Sequence, residues 1–374
     1  MKKYFIIAAA ALVAMCACTK NEVNTLPDQE INFQVANYMN QTKVGEVAFT
    51  GDSFGVYAWY TSDAGTTAET DQPFMVNETV VPALPGWKVD GKTYFWPKTG
   101  DIDFFAYAPT ARDPWAIRNM TSGKLEGSFT SADGTEDYMY SSMAMNYIKN
   151  DPKYEVTPGD EAGTLVSDGV PVLFHHALSK VTVKFYADPL KKLDEKTGET
   201  LATWEVIVNE ANFTDVVTGG TLAMSLSNPS GSGVVDWTLP TNDIWTPGTD
   251  KAPLAAIGQG GQKLDGTPTA YVLGADGIGW TVLPQALAGI EFHINYTIKA
   301  YNGSDDPYSV ETIDVSYPIS GEDGIFAAAG NYWQMNKKYV YTVKIAPSTS
   351  EILFDPAVVE WTDGGSASQT FPIE

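Results

Sequence analysis

Residues 173–185, Leu-Phe-His-His-Ala-Leu-Ser-Lys-Val-Thr-Val-Lys-Phe, end in a clean alternation. Val181, Val183 and Phe185 fall on one side of an extended chain, and Lys180, Thr182 and Lys184 on the other. Successive side chains of a strand point to opposite faces, so the run predicts a strand with one buried face and one wet face. The same period recurs before and after it, and a chain patterned this way folds into sheets.

In the first half, residues 31–35 (Ile-Asn-Phe-Gln-Val) read as a first strand after a polar tether at 21–30. Residues 54–60 form a second, with aromatic side chains on both faces. Residues 94–97 and 102–109 read as a strand pair, joined by Lys98-Thr99-Gly100-Asp101 as turn. Residues 138–145 predict another strand, and the polar, Pro- and Gly-containing stretch 149–168 marks a domain boundary. In the second half, 204–208 and 221–226 read as strands, and 227–268 as a long loop with one short strand near Val234. Residues 280–283 follow. The clearest hairpin sets Phe292, Ile294, Tyr296 and Ile298 on one face and, after a polar turn, Ile313, Val315, Tyr317 and Ile319 on one face. Tyr339, Tyr341, Val343 and Ile345 mark another strand, and 352–354 and 358–361 close the chain. Many short strands separated by turn signals imply all-β sandwiches, and 374 residues suggest two of them.

Composition narrows the function. The formal charge of −23 would repel a polyanion, which argues against nucleic acid as a partner. Lys2 and Lys3 precede a short apolar run at 4–15, the pattern of a secretory signal. The only two cysteines, Cys16 and Cys18, sit just after it, so no disulfide framework is expected in the folded part. Small Ala17 before Cys18 matches a bacterial lipobox, which makes Cys18 the expected lipidation site, with palmitate among the acyl chains. Cys16 follows the bulkier Met15 and fits less well. Residues 1–17 are then a lipoprotein signal peptide, and the mature chain hangs from a membrane by its lipid.

Residues that could carry chemistry form no constellation. His175 and His176 adjoin on a strand and point to opposite faces, so they do not chelate one metal together. The expected arrangement is one packed and one exposed, with His293 solvated. Asp305-Asp306, after Asn302-Gly303-Ser304, could offer oxygen ligands to calcium, but a polar hairpin tip explains them and no metal site is expected. No nucleophile elbow, zinc-helix motif or phosphate loop occurs, so neither an enzyme nor a cofactor is expected. Tyr57, Trp59, Phe105 and Tyr107 lie opposite the more aliphatic faces of their strands. They read as packing, or, if exposed together, as a stacking surface for sugar rings.

Several segments, taken in order, resemble the Bacteroidetes fimbrillin family, the lipoprotein subunits of type V pili. They are the lipobox at Cys18, Asp103-Phe104-Phe105-Ala106-Tyr107-Ala108-Pro109, and the central His176-Ala177-Leu178-Ser179-Lys180-Val181. Val282-Leu283-Pro284-Gln285, Lys338-Tyr339-Val340-Tyr341-Thr342-Val343 and the closing Phe354-Asp355-Pro356-Ala357-Val358-Val359-Glu360-Trp361 follow. The resemblance implies two tandem transthyretin-like β-sandwich domains, here 18–168 and 169–374. It also implies export through the periplasm to the outer membrane, and assembly with other fimbrial subunits into a surface fibre that serves adhesion to a host or bacterial surface ligand. A protease is expected to remove the first strand, about 31–35, and a neighbour's C-terminal segment, within 352–373, to fill the groove. The strand-exchange logic is that of edge pairing, and a head-to-tail contact of this kind does not close on itself.

One departure concerns processing. The well-known members are cut after arginine, yet no arginine precedes Arg112 here, and Lys20 and Lys43 are the only basic residues between Cys18 and Lys88. Cleavage after Lys43 would free the first strand, whereas cleavage after Lys20 would only release the lipid. The alternative is a subunit that is never trimmed and anchors the fimbria, or a surface lipoprotein that binds glycan or host ligand.

Overall fold

The computed structural model describes residues 25–35, 49, 51–62, 72–84, 86–110, 119–121, 123–130, 136–147, 169–226, 233–235, 245–254, 261–271, 279–321, 324, 330–348 and 351–360. Every regular element among them is a β-strand. Period-two patterning without a helical stripe leaves the backbone no other way to bury these apolar faces.

The first large sheet runs in the order Val170–Val172, Phe33–Val35, Gly86–Val89, Gln72–Ala83, Phe54–Thr61, Asp101–Ala108, Met139–Ser141, Phe174–His176. Its ladder is antiparallel except where Val170–Val172 runs parallel to Phe33–Val35. The expected pairing of 94–97 with 102–109 does not form. Phe95–Pro97 pairs with Thr25–Glu30, while Asp101–Ala108 pairs with Phe54–Thr61 from Gly55↔Tyr107 to Thr61↔Asp101. Two strands of equal length satisfy more backbone groups on each other than either would on a three-residue partner. The same finding corrects the tether: Thr25–Glu30, read as polar linker, is a strand. The expected single strand at 138–145 is broken at Ser142 into Met139–Ser141 and Met143–Tyr147, with the Ser142 N–H donating to Leu173 O at 2.9 Å.

The second half builds a sandwich. One sheet has the order Thr269–Tyr271, Ser179–Ala187, Lys337–Ala346, Glu351–Glu360, with Trp280–Val282 also on Ser179–Ala187. The facing sheet has the order Lys191–Leu193, Thr200–Thr214, Glu291–Tyr301, Ser309–Pro318. Between them lie the alternating inward residues the sequence marks: Val181, Val183 and Phe185 against Phe292, Ile294 and Tyr296. Phe213 is the centre of this core, with ring centroids 5.6 Å from Trp333 and 5.8 Å from Tyr341. The buried polar atoms of these rings pair with each other, as Trp333 Nε1 donates to Tyr341 Oη at 2.8 Å. The long loop expected over 227–268 carries more structure than one short strand: Gly233–Val235, Trp245–Pro247, Lys251–Ala252 and Gln262–Lys263 all pair.

The central stretch differs from expectation on its wet face. Lys180 and Thr182 are buried, and Lys184 is half-buried. Lys180 stands opposite Thr281, whose hydroxyl donates to Glu136 O at 2.6 Å, so the segment before Met139–Ser141 covers that face. A lysine can be accommodated there because its long apolar stem can pack along apolar surface.

A third core joins the two halves of the chain. Phe105, Tyr107, Leu125, Phe129 and Tyr140 from the first half pack with Leu178, Leu222, Met224, Trp245 and Leu283 from the second. Lys124–Thr130 pairs with Gly219–Ser225 over seven residues, from Thr130↔Gly219 to Lys124↔Ser225.

Candidate functional site

Of the two elements singled out for strand exchange, one lies second in the order of its sheet and the other is the last strand of its own. Ile31 and Phe33 point inward and are buried, while Asn32 between them is exposed, as the sequence alternation requires. The strand itself is short, Phe33–Val35, and Val35 is half-buried. Phe33 meets Phe54 and Phe104 edge-on, at ring-centroid distances of 6.1 and 5.7 Å. The backbone is held on both sides: Ile31 N–H donates to Tyr94 O, and Val170 N–H donates to Asn32 O, each at 2.8 Å. Two glycines give this strand its room. A Cβ at Gly86 would stand 2.7 Å from Phe33 O, and one at Gly169 would stand 2.9 Å from Phe33 C, so any side chain would push the strand out.

The closing element is one continuous strand, Glu351–Glu360, rather than the two short ones expected, and it pairs antiparallel with Lys337–Ala346 from Ala346↔Glu351 to Lys337↔Glu360. It is the last strand of its sheet. Pro356 sits within it opposite Tyr341. Proline lacks the N–H a central strand needs, so its presence suits an edge. Ile352, Phe354 and Val358 pack against the sandwich core while Leu353 is exposed. The inward apolar residues thus follow the same period as Ile31 and Phe33. Cys18, Lys20, Lys43, and residues 361–373 of the expected donor segment lie outside the described residues.

The histidines differ in burial, but the one expected to be exposed, His175, is not. His176 is fully buried, with Nδ1 2.7 Å from Asp137 Oδ2; an ionised carboxylate only accepts, so Nδ1 carries the proton. His175 is half-buried, stacked on Tyr140 with Nε2 2.9 Å from Ser142 Oγ. The packed histidine is the pivot of a polar junction that sequence reasoning missed. Asn336 Oδ1 accepts from His176 N–H at 3.3 Å, Asn336 N–H donates to Leu178 O at 2.9 Å, and Ser179 Oγ donates to Gln334 O at 2.6 Å. Trp245 Nε1 donates to Ala177 O at 2.8 Å. His and Ser inside an apolar run were the available signal, since buried polar groups need partners.

His293 is not simply solvated: its Nε2 lies 2.7 Å from Asp314 Oδ1. That contact, with a further hydrogen bond from Asn295, holds the Asp314 carboxyl below its ordinary range. Asp305 and Asp306 are exposed at a hairpin tip, where Ser304 Oγ accepts from Asp306 N–H at 3.3 Å. Among the described residues, no group of three or more His, Cys, Asp or Glu side chains is placed to hold a metal. Trp59, Phe105 and Tyr107 are buried in the shared core, with Tyr57 stacked on Trp59 at 6.2 Å, so they form no surface for sugar.

The chain is all-β, sheet packed on sheet, with a short buried strand at Phe33–Val35 and an edge strand at Glu351–Glu360. The chain belongs to the Fimbrillin-like family, whose model matches residues 42–361. No curated protein matches the sequence. Among solved structures, it is similar to a fimbrial protein from Bacteroides vulgatus, at 18% identity and a TM-score of 0.50, over 90% of this chain and 100% of that one. It is also similar to a protein assigned to cell adhesion from Bacteroides uniformis, at 18% identity and a TM-score of 0.43, over 90% and 100% of the two chains. A third is the tip fimbrial protein Mfa3 of Porphyromonas gingivalis with its C-terminus truncated, at 11% identity and a TM-score of 0.35, over 89% and 99%.

Proposed function

We propose that this protein is a structural subunit of a cell-surface fimbria serving adhesion, exported as a lipoprotein acylated at Cys18 and polymerised by strand exchange. Cleavage after Lys43 would remove both Thr25–Glu30 and Phe33–Val35. The observation that carries the reading is the environment of Phe33: a fully buried side chain on a three-residue strand, held by backbone bonds on two sides. Its departure would bare the Phe54 and Phe104 rings and unpaired strand edges at Gly86–Val89 and Val170–Val172. An alternating apolar strand from a neighbour would restore both the hydrogen bonds and the packing. The division into domains at 18–168 and 169–374 is part of this proposal, with 170–176 returning to complete the first sheet.

The first test is the N-terminal residue and mass of the protein recovered from cells. A start at Val44 is expected, and Lys43→Ala is expected to abolish polymers on denaturing gels. An acylated start at Cys18 on assembled fimbriae would overturn trimming and leave a non-polymerising anchor as the role.

A further inference from the structure

We propose that the free edge of Ser309–Pro318 pairs with the same edge of a second copy of this chain, continuing one sheet of the second sandwich through a two-fold axis at Ile313. The contact is separate from strand exchange and does not rest on it.

The strand is the last of its sheet, and among the described residues no strand pairs with its outer side. Every residue from Ser309 to Thr312 is exposed, and beyond them only Ile313, Val315 and Tyr317 are half-buried. An open edge invites another strand, and sheets commonly blunt it with a bulge, a lysine or a proline. Glu351–Glu360, at the edge of the facing sheet, carries Pro356 at mid-strand. Ser309–Pro318 has no lysine, and its one proline is its last residue. Its ladder with Glu291–Tyr301 runs without a bulge from Ala300↔Ser309 to Glu291↔Pro318.

The phase of that ladder tells which backbone groups are free. Ile319 N–H donates to Ile290 O at 3.2 Å, one step beyond the Glu291↔Pro318 pair. Hydrogen-bonded pairs alternate with non-bonded ones along an antiparallel ladder. Ser309, Glu311, Ile313, Val315 and Tyr317 therefore direct their backbone groups to the neighbouring strand, while Val310, Thr312, Asp314 and Ser316 aim theirs outward. Pro318 falls in the outward set, where its missing N–H breaks no ladder bond.

A second copy meets these groups best when it runs antiparallel, with Val310 opposite Ser316 and Thr312 opposite Asp314. All four outward residues then pair N–H with C=O in both copies. A slip in one direction sets Asp314 against Asp314 and brings in Pro318, which has no N–H; a slip in the other leaves Ser316 beyond the end of the strand. The favoured register repeats under a two-fold axis, as a contact between identical patches requires. The side chains agree with it. On the outer face, the Thr312 hydroxyl can donate to the carboxylate of the second copy's Asp314, a group already oriented by His293 Nε2 at 2.7 Å and Asn295 Nδ2 at 3.0 Å. On the inner face, Ile313 meets its own copy at a non-hydrogen-bonded pair, where strands bring side chains closest. Ile313, Val315 and Tyr317, which pack at the rim of the sandwich core, gain apolar cover there.

The test uses residues 19–374, which contain no cysteine and keep every described strand. Ile313→Cys is expected to give a disulfide-linked dimer on mild oxidation, because the two copies of that position stand about 4.5 Å apart at Cα. Val310→Cys is expected to stay unlinked, since its two copies lie about 20 Å apart along the ladder. The unsubstituted protein is expected to sediment partly as a dimer at about 100 μM, in keeping with a small contact area. Thr312→Pro removes one outward N–H from each copy and is expected to weaken the dimer at least about tenfold, with little change in melting temperature because an edge strand tolerates proline. An unsubstituted protein that stays monomeric at about 500 μM would overturn the proposal. So would equal linkage through positions 310 and 313, no linkage through 313 in protein that dimerises, or a dimer that Thr312→Pro leaves intact.

Discussion

At the scale of single residues, the polar atoms inside the sheets matter as much as the apolar ones. Asp137 is the acceptor of the buried His176 Nδ1–H, and its removal would leave that group without its carboxylate in a dry junction. Asp137→Ala is expected to lower stability by about 1–3 kcal/mol, read as a shift in the urea midpoint at unchanged slope. Phe33→Ala is expected to cost the untrimmed precursor about 3–5 kcal/mol by emptying the site against Phe54 and Phe104. Under the strand-exchange reading, processing to a start at Val44 removes residue 33, so surface protein made from the Phe33→Ala and wild-type precursors is expected to unfold alike. A lower stability of the surface protein made from the Phe33→Ala precursor would show that the strand is not released. Gly55 illustrates the opposite constraint: a Cβ there would collide with the Tyr107 ring, which explains a glycine at the second position of the strand Phe54–Thr61.

At the scale of elements, the central pair of the second sandwich concentrates buried tyrosines. Burial pushes Tyr339 and Tyr296 up to about 12, and raises Tyr341 and Tyr317 as well, because the phenolate would lose its hydration. The unfolded chain releases these protons near pH 10. Each raised group therefore contributes stability that is complete below about 10 and is lost as pH rises through the folded value. Alkaline titration is expected to ionise the exposed tyrosines first and to hold back the absorbance of the buried ones until it is released together with the far-ultraviolet signal of the sheet. Ionisation of all the tyrosines below the unfolding transition would contradict this packing. The outer face of the same sandwich works in the other direction. Lys263 and Lys299, at 2.5 and 3.3 Å from the Glu205 carboxylate, hold its pKa below the ordinary range, so their contribution is present above that range and lost on acidification. It is small, because the pair faces water.

At the scale of the whole molecule, the shared core and the seven-residue ladder between Lys124–Thr130 and Gly219–Ser225 tie the halves together. Loss of 1–43 under the strand-exchange reading would strip the first sheet of Phe33–Val35 while leaving the second sandwich whole. The trimmed monomer is expected to melt in two transitions and to bind a hydrophobic dye that the precursor does not. A synthetic peptide of residues 352–373 is expected to merge the transitions again; failure to do so would place the donor elsewhere.

Much of this was legible in the chain itself. Period-two alternation at 181–185, 292–298 and 339–345 dictated strands and their inward faces, because a strand's geometry is local and a one-residue slip would turn every apolar side chain to water. The burial of Ile31 and Phe33 followed from the same rule. What the sequence did not carry was the pairing. The parallel ladder of Ser179–Ala187 with Lys337–Ala346, the partner of Phe95–Pro97, and the burial of Lys180 depend on which edges meet across long separations. Backbone groups are the same at every residue, so an edge has no signature of its own partner. Likewise, the junction around His176 exists only because separate segments meet there. Composition set the faces of this protein, and tertiary structure alone decided which faces and edges were covered.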